Sequence, residues 1–191
     1  MINSFKLLLI VLMLSSCKNP NEKSELQIYT EKSTELISQI IKSKEIECSC
    51  LLEMRHQSLV EIMSESRPSS NNRRELKNAL KISSDSIFDK QNELSKQFRI
   101  FQLNLNFDME LLNLSQLDSI HQNVGSQNYR EVLWEKCPTG KLSISPPVFN
   151  ETYDIAAIAV GGCPSGGELG IYNLINDEWT YIEHVYIWLS Q

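Results

Sequence analysis

The chain has 191 residues, a formal net charge of -6 at pH 7 and 41% hydrophobic residues. This composition excludes a wholly disordered or fibrous chain, and the length allows one domain with a real core or two small ones. The acidic balance argues against a general nucleic-acid binder, because such proteins cluster Lys and Arg to neutralise phosphates.

Residues 1–16 have the pattern of a secretory signal peptide. Lys6 supplies a positive charge, and residues 7–14 (LLLIVLML) form an apolar run. This run is shorter than the roughly twenty residues of a membrane-spanning helix. The tetrapeptide LSSC at 14–17 resembles the lipobox of bacterial lipoproteins, whose Cys receives acyl chains such as palmitate and becomes the mature N-terminus. We therefore predict lipidation at Cys17, in preference to a plain signal peptide or a buried strand.

A lipidated N-terminus also predicts where the protein is located. Several acyl chains give stable membrane anchoring without a spanning helix. The polar residues 17–23 would form a tether that reaches at most about 25 Å. We expect residues 24–191 to be held at the cell envelope, on the periplasmic or surface face of the outer membrane.

Residues 24–191 predict a single α+β domain, in which N-terminal helices pack on a C-terminal antiparallel β-meander. The part over 24–136 is helical by apolar periodicity, and Ser84 is a suitable N-cap within it. Helices are predicted at 24–44, 58–64, 73–82, after Ser84 and at 129–136, whereas 45–54 and 100–121 are ambiguous between helix and strand.

The β-rich part covers residues 141–191. Short connections between successive apolar runs predict antiparallel pairing. Both faces of the last strand carry apolar residues, so we expect the N-terminal helices to cover it. The predicted strands are 141–145, 153–160, 168–175 and 179–189.

This C-terminal sequence resembles that of small uncharacterised lipoproteins of Bacteroidota. Those chains show a Ser-x-Pro-x-Phe segment, an apolar strand, a loop with Gly and Cys, and two strands that end in Trp-Ile-Ser. The resemblance covers residues 144–190 well, implies an envelope lipoprotein and brings no catalytic residues. Leu189 replaces the usual Ile, and the usual Gly before Trp179 is absent. The matching positions are Ser145, Pro147, Phe149, Trp179 and 188–190, with 48–53 and 137–138 upstream.

Four cysteines besides Cys17 would lie in an oxidising compartment and allow three disulfide pairings. Cys48 and Cys50 are expected to share a strand face, where they would fit each other poorly. Bonds from this pair to Cys137 and Cys163 would join the two halves of the domain and add about 4 kcal/mol. Buried free thiols and a four-Cys zinc site are the alternatives.

Other patterns of catalytic or metal chemistry are weak. The Gly-rich loop 161–167 lacks the Gly-Lys-Ser/Thr ending of a phosphate loop, so it predicts a hairpin with positive φ angles. His56, His121 and His184 lack metal-ligand spacing. A Ser–His triad has no specific signal in a sequence. We therefore predict no catalytic residues, no metal and no cofactor.

The β-rich part combines acidic and aromatic side chains. Residues 142–191 contain no Lys or Arg. The acids predict either a surface for a cationic partner or a solvated outer face. The aromatics predict either a glycan or peptide groove or a buried core. The acids are Glu151, Asp154, Glu168, Asp177, Glu178 and Glu183, and the aromatics are Tyr172, Trp179, Tyr181, Tyr186 and Trp188.

Two short motifs resemble the O-glycan acceptor sequence of Bacteroidota. They are DSI at 85–87 and DSI at 118–120, which make Ser86 and Ser119 predicted acceptors. The alternative interpretation is a helix N-cap at Asp85 and at Asp118.

The leading functional hypothesis is a membrane-anchored, non-enzymatic lipoprotein that binds a protein, peptide or glycan through its acidic, aromatic β half. One alternative is an envelope hydrolase with an unrecognised site. Another is an immunity or inhibitor lipoprotein that acts against a toxin.

Overall fold

The computed structural model describes residues 23–43, 47–54, 58–66, 69–100, 108–163 and 166–188. The predicted signal peptide, Cys17, residues 18–22, His56 and Ser165 lie outside the described residues, as does the segment 101–107. Within the described ranges the chain forms five α-helices and one mixed seven-stranded sheet. The predicted α+β class is therefore confirmed.

The helices lie mostly in the first two thirds of the chain and the strands mostly in the last third. The helices are α1 (Glu25–Ser43), α2 (Leu59–Ser66), α3 (Asn72–Ala79), α4 (Asp85–Gln97) and α5 (Leu114–Lys136). The strands are β1 (Cys50–Glu53), β2 (Glu110–Leu112), β3 (Lys141–Ile144), β4 (Val148–Phe149), β5 (Ile155–Gly162), β6 (Gly167–Ile175) and β7 (Glu178–Trp188).

The sheet is more mixed than the sequence predicted. Its strand order is β2-β1-β3-β5-β6-β7, and β4 pairs with β5. Strands β5, β6 and β7 form the predicted antiparallel meander. Strand β1 pairs in parallel with both β2 and β3, which places one short strand of the N-terminal half inside the sheet. The apolar run around residue 51 is typical of such a buried parallel strand.

Helices cover both faces of the sheet. Alternate residues of β5 point to opposite faces: Ile158 belongs to the cluster under α1, and Ala157 to the cluster under α2 and α3. Helix α5 packs through Leu117 and Leu133 against β1 and β2. Because β5 is buried on both faces, it is the centre of the domain.

Helix α1 forms because its apolar residues fall on one stripe that the sheet covers. Tyr29, Leu36, Ile37 and Ile40 are at most 1% exposed. The Tyr29 hydroxyl donates a hydrogen bond to the carbonyl oxygen of Pro147 at 2.6 Å. Burial raises the pKa of Tyr29, so this hydroxyl keeps its proton and the bond.

The helix caps differ in part from the predictions. Ser84 caps α4, since its hydroxyl accepts from the Ile87 N–H at 3.3 Å. Helix α5 begins with a capping box formed by Asn113 and Gln116. The predicted helix at 129–136 is the C-terminal part of α5. N-caps at Asp85 and Asp118 are wrong, because both residues lie inside helices.

The expectation that helices cover the whole last strand is wrong. Strand β7 ends the strand order, and Tyr181 and Ile182 on it are 42% and 51% exposed. Trp179, near the start of β7, is only 8% exposed and lies beside α1. The helices therefore bury Trp179 and leave the middle of the strand in solvent.

Two disulfides join the two halves of the chain. Cys48 pairs with Cys163 across a Cα–Cα distance of 5.9 Å, and Cys50 pairs with Cys137 across 5.5 Å. The prediction that Cys48 and Cys50 share a face is wrong. A bend at Ser49 precedes β1, so Cys48 packs in the cluster under α1 and Cys50 packs against α5.

Both disulfides lie next to the turn that ends at Gly140. The Gly140 carbonyl oxygen accepts hydrogen bonds from the backbone N–H groups of Ser49 at 3.1 Å and Cys50 at 3.3 Å. Gly140 has a φ of +109°, and a Cβ at this position would lie 2.8 Å from the Cys163 sulfur. The position therefore favours glycine, which alone allows this close approach.

We expect the substitutions C50A and C137A together to lower the free energy of unfolding by about 4 kcal/mol, because the lost bond no longer restricts the unfolded chain. Urea denaturation followed by circular dichroism measures this change. Proteolysis without reduction, followed by mass spectrometry that fragments the peptide backbone between Cys48 and Cys50, should recover Cys50 linked to Cys137 and Cys48 linked to Cys163. A peptide that links Cys48 to Cys137 would contradict the arrangement.

Candidate functional site

A polar and aromatic surface lies on the two outer strands of the meander. We call it the β6–β7 surface and define it by Glu168, Gly170, Tyr172, Tyr181 and His184. Register places Tyr172 opposite Tyr181 and Gly170 opposite His184. Because side chains alternate along β6, Glu168, Gly170 and Tyr172 share the face on which α1 packs.

Two tyrosine rings meet over a glycine on this surface. The rings of Tyr172 and Tyr181 lie 5.5 Å apart in an edge-to-face arrangement. A Cβ on Gly170 would lie 3.0 Å from Cε2 of Tyr172 and 3.1 Å from Cε2 of Tyr181. A larger residue would push the rings away from the strand, so Gly170 is what allows both of them to pack there.

The polar groups of the surface surround the Tyr181 hydroxyl. Its oxygen lies 3.5 Å from Oε2 of Glu168 and 3.4 Å from Nδ1 of His184. Burial, followed by the charge of Glu168, raises the pKa of Tyr181. Both hydroxyl contacts are longer than a strong hydrogen bond of about 2.7 Å.

The Tyr172 hydroxyl is buried without a hydrogen-bond partner among the described residues. Tyr172 is 3% exposed. Burial, followed by the charge of Glu168, raises the pKa of Tyr172 and keeps the hydroxyl protonated. Polar groups in protein interiors are nearly always paired, so this hydroxyl is an unusual feature of the surface.

The electrostatic character of the surface is acidic. Glu168 lies on its face, and Glu178 and Glu183 lie on the same strand as Tyr181 but on the other face by register. The sequence from 142 to 191 supplies no Lys or Arg to neutralise them. An aromatic ring beside a carboxylate is chemically suited to hold a cation.

The edge of β7 is poorly suited to pairing with a further strand. The backbone N–H of Trp179 donates to the side-chain oxygen of Gln39 on α1, which occupies the start of the edge. Register shifts follow between Leu169 and Gly170 and between Ile171 and Tyr172. Such irregularities twist an edge strand and oppose strand addition. A partner would therefore be recognised by side chains.

The aromatic residues predicted for the β-rich part differ in their burial. Tyr172 and Trp179 belong to the core, and Tyr186 packs toward the cluster on the opposite face. Tyr181 is exposed, whereas the side chain of Trp188 lies outside the described residues. Gly170 was not among the predicted site residues, although a glycine inside a strand is a signal of close approach.

Two cavities lie elsewhere in the described part of the chain. One, of about 80 Å³, lies at the ends of β1 and β3 and includes Glu53 and Arg99. The Glu53 carboxylate accepts from the Leu114 N–H at 3.0 Å, and so stabilises the start of α5. The other, of about 330 Å³, is an open groove that includes Ser58 and Asp89. Among the described residues, no histidine lines either cavity.

The described histidines are exposed. His121 lies 3.0 Å from the Ser126 hydroxyl on α5, where Gly125 interrupts the helix with a φ of 72°. Nucleophilic catalysis also needs a cleft for the substrate, and this pair belongs to neither cavity. Within the described ranges, no cluster of His, Cys, Asp and Glu could hold a metal ion.

The Gly-rich loop has the predicted positive φ angles where it is described. They are +102° at Gly162 and +81° at Gly166. A Cβ on Gly162 would lie 1.9 Å from the Lys141 carbonyl oxygen, so β5 approaches β3 closely at this residue.

Both predicted glycosylation sites lie on helix surfaces. Ser86 is exposed in the first turn of α4, beside the Ser84 hydroxyl at 3.0 Å. Ser119 is exposed on α5. Modification of Ser86 and Ser119 stays a prediction.

No protein-family model, curated protein or solved structure matches this chain. Among the described residues, no helix has both the length and the apolar character needed to cross a membrane. No known protein therefore indicates what the β6–β7 surface binds.

The unpaired Tyr172 hydroxyl predicts an unusual mutational result. We expect Y172F to leave the free energy of unfolding unchanged or to raise it by up to about 1 kcal/mol, because the hydroxyl has no hydrogen-bond partner among the described residues. The matched control is Y29F, which loses a satisfied buried hydrogen bond and should cost about 1–3 kcal/mol. Urea denaturation of both variants measures the difference. If Y172F lowered the free energy of unfolding as much as Y29F does, the Tyr172 hydroxyl would have a hydrogen-bond partner, which would contradict the prediction.

Proposed function

We propose that the protein is a lipid-anchored envelope protein that binds a basic partner protein through the β6–β7 surface and catalyses no reaction. The observation that carries this proposal is the exposure of Tyr181 in that surface, and of its neighbour Ile182, on an outer strand that also carries carboxylates. Large exposed apolar side chains are typical centres of binding energy in protein interfaces.

The distribution of charge indicates the kind of partner. The charges of Glu168 and Glu183 both act on Tyr181, and residues 142–191 contain no Lys or Arg to oppose them. Complementary charge raises the rate of association and rejects partners of the same sign. A partner with exposed Lys or Arg residues is therefore favoured over an acidic protein or a neutral glycan.

The predicted anchor restricts where this partner is met. Residues 17–23 would hold the domain within about 25 Å of a lipidated N-terminus. Anchoring to one membrane surface raises the effective concentration of partners on that surface. Together these features favour an envelope protein as the partner.

The double substitution Y181S and I182S is expected to weaken partner binding at least about tenfold, since it removes the apolar centre of the interface. The control is W134S, because Trp134 is an exposed aromatic, 71% accessible, on the distant helix α5. The measurement compares the original protein, Y181S/I182S and W134S. Each is cross-linked in envelope extract, and the cross-linked residues are mapped by mass spectrometry.

We expect cross-links from β7 to basic segments of one partner, and we expect them not to form when the extract contains about 0.5 M salt, because salt screens the charges that hold the complex. Cross-links that survive Y181S/I182S, or that decrease equally in W134S, would overturn the proposed surface.

A separate prediction concerns the anchor. We expect C17A to abolish lipidation and release the domain from membranes, because no acyl chain then remains. Membrane fractionation and intact-mass measurement test it, with S4A as a control that should stay lipidated. A C17A protein that keeps both the membrane fraction and the mass of the original would show that Cys17 is not the anchor.

A further inference from the structure

The two disulfides differ in how far solvent reaches their cysteines. Cys50 and Cys137 are 0% and 1% exposed, and both belong to the cluster against α5. Cys48 is 5% exposed, whereas Cys163 is only partly buried. Among the four cysteines of the two bonds, Cys163 is therefore the one that a reagent in solution reaches first.

The residues next to the Cys163 sulfur lie at the protein surface. The sulfur is 3.1 Å from the carbonyl oxygen of Thr139, which is an exposed residue. It also packs on Gly140, where a Cβ would lie only 2.8 Å away. Because Gly140 has no side chain, it adds nothing that would shield the sulfur from an approaching thiol.

Other bonds support the strand arrangement when the Cys48–Cys163 bond is open. Strand β1 stays joined to the end of α5 through Cys50–Cys137, and the Cys50 N–H still donates to the Gly140 carbonyl oxygen. Strand β5 keeps its pairing with β3 on one side and with β6 on the other. We therefore expect a chain with this one bond reduced to stay folded.

The pattern of the two bonds also requires exchange at Cys163 during folding. Each native bond joins cysteines that are far apart, at sequence separations of 115 and 87 residues. Cys137 and Cys163 are much closer to each other in the chain than either is to its native partner. A shorter loop closes at a smaller cost in entropy, so a Cys137–Cys163 bond is expected to form first. That bond has to be broken before the native pairs can form.

We propose that Cys163 is a thiol–disulfide exchange site for a dithiol oxidoreductase with a Cys-x-x-Cys motif, and that the folded domain protects Cys50–Cys137 from the same partner. A thiolate of the partner forms a new S–S bond with the Cys163 sulfur. The Cys48–Cys163 bond breaks, and its electron pair leaves with the Cys48 sulfur, which takes up a proton. This site is independent of the β6–β7 surface.

The second thiol of the partner completes the exchange. It loses its proton and attacks the partner's own sulfur in the mixed disulfide. The Cys163 sulfur leaves with the electron pair and takes up a proton. The partner is thereby oxidised to a disulfide, and the chain is reduced to two thiols. The same steps in reverse restore the Cys48–Cys163 bond.

The first experiment follows the reduction of the full chain by dithiothreitol. Iodoacetamide labels the thiols that appear, and peptide mass spectrometry locates them. We expect Cys48 and Cys163 to be labelled together at least about tenfold faster than Cys50 and Cys137, since a buried bond reacts only after local opening. Circular dichroism should show that the chain with two thiols keeps its secondary structure. In guanidinium chloride that unfolds the chain, both bonds should be reduced at similar rates.

The variants C48A and C50A form a matched pair. C48A leaves Cys163 as a free thiol, and C50A leaves Cys137, while each variant keeps the other disulfide. With glutathione disulfide as the probe, Cys163 in C48A should be glutathionylated at least about tenfold faster than Cys137 in C50A. Circular dichroism verifies beforehand that both variants are folded.

The class of partner is tested with a thioredoxin whose second Cys-x-x-Cys cysteine is replaced by serine, so that it cannot leave a mixed disulfide. We expect it to be trapped on the full chain through Cys163, with Cys48 as a free thiol. A link through Cys48, Cys50 or Cys137, or the absence of any trapped complex, would overturn the proposed site. Equal rates of reduction of the two bonds in the folded chain would overturn it as well.

Discussion

The segment from Cys48 to Cys50 is held at two points, and the strand order of the sheet depends on this constraint. One disulfide joins it to the β5–β6 connection at Cys163, and the other joins it to the end of α5 at Cys137. Between them, Ser49 and Cys50 donate backbone hydrogen bonds to Gly140. Parallel β1 is thereby fixed beside β3, although the helices α2 to α5 all lie between the two strands in the chain.

One of these disulfides, Cys48–Cys163, also lies close in the chain to the strand that carries the candidate site. The connection held by Cys163 leads into β6, whose second residue is Glu168. On the other side, Gly162 lies against the Lys141 carbonyl oxygen, which fixes the end of β5. The strand that carries Glu168, Gly170 and Tyr172 is positioned along its length by pairing with β5. Rigid support of this kind is what a preorganised binding surface requires.

Local features of the sequence predicted much of the fold. Apolar periodicity placed α1, and turn signals with short connections placed β5, β6 and β7, because these patterns depend on neighbouring residues. The parallel insertion of β1 was not predictable in this way, since pairing between distant segments leaves no spacing pattern. The difference in burial between Tyr172 and Tyr181 was also not predictable from the sequence. Both are aromatic residues in strands, and only the extent of α1 over the sheet decides which ring is buried.

The proposed binding surface rests on the exposed side chains of Tyr181 and Ile182 on the outer strand β7. The most direct measurement places a photo-cross-linking amino acid at position 182 or at position 134 of the full chain in living cells. The account predicts a cross-link from position 182 to a basic segment of one envelope protein, and none to that segment from position 134. Equal cross-linking from both positions, or none from position 182, would contradict it.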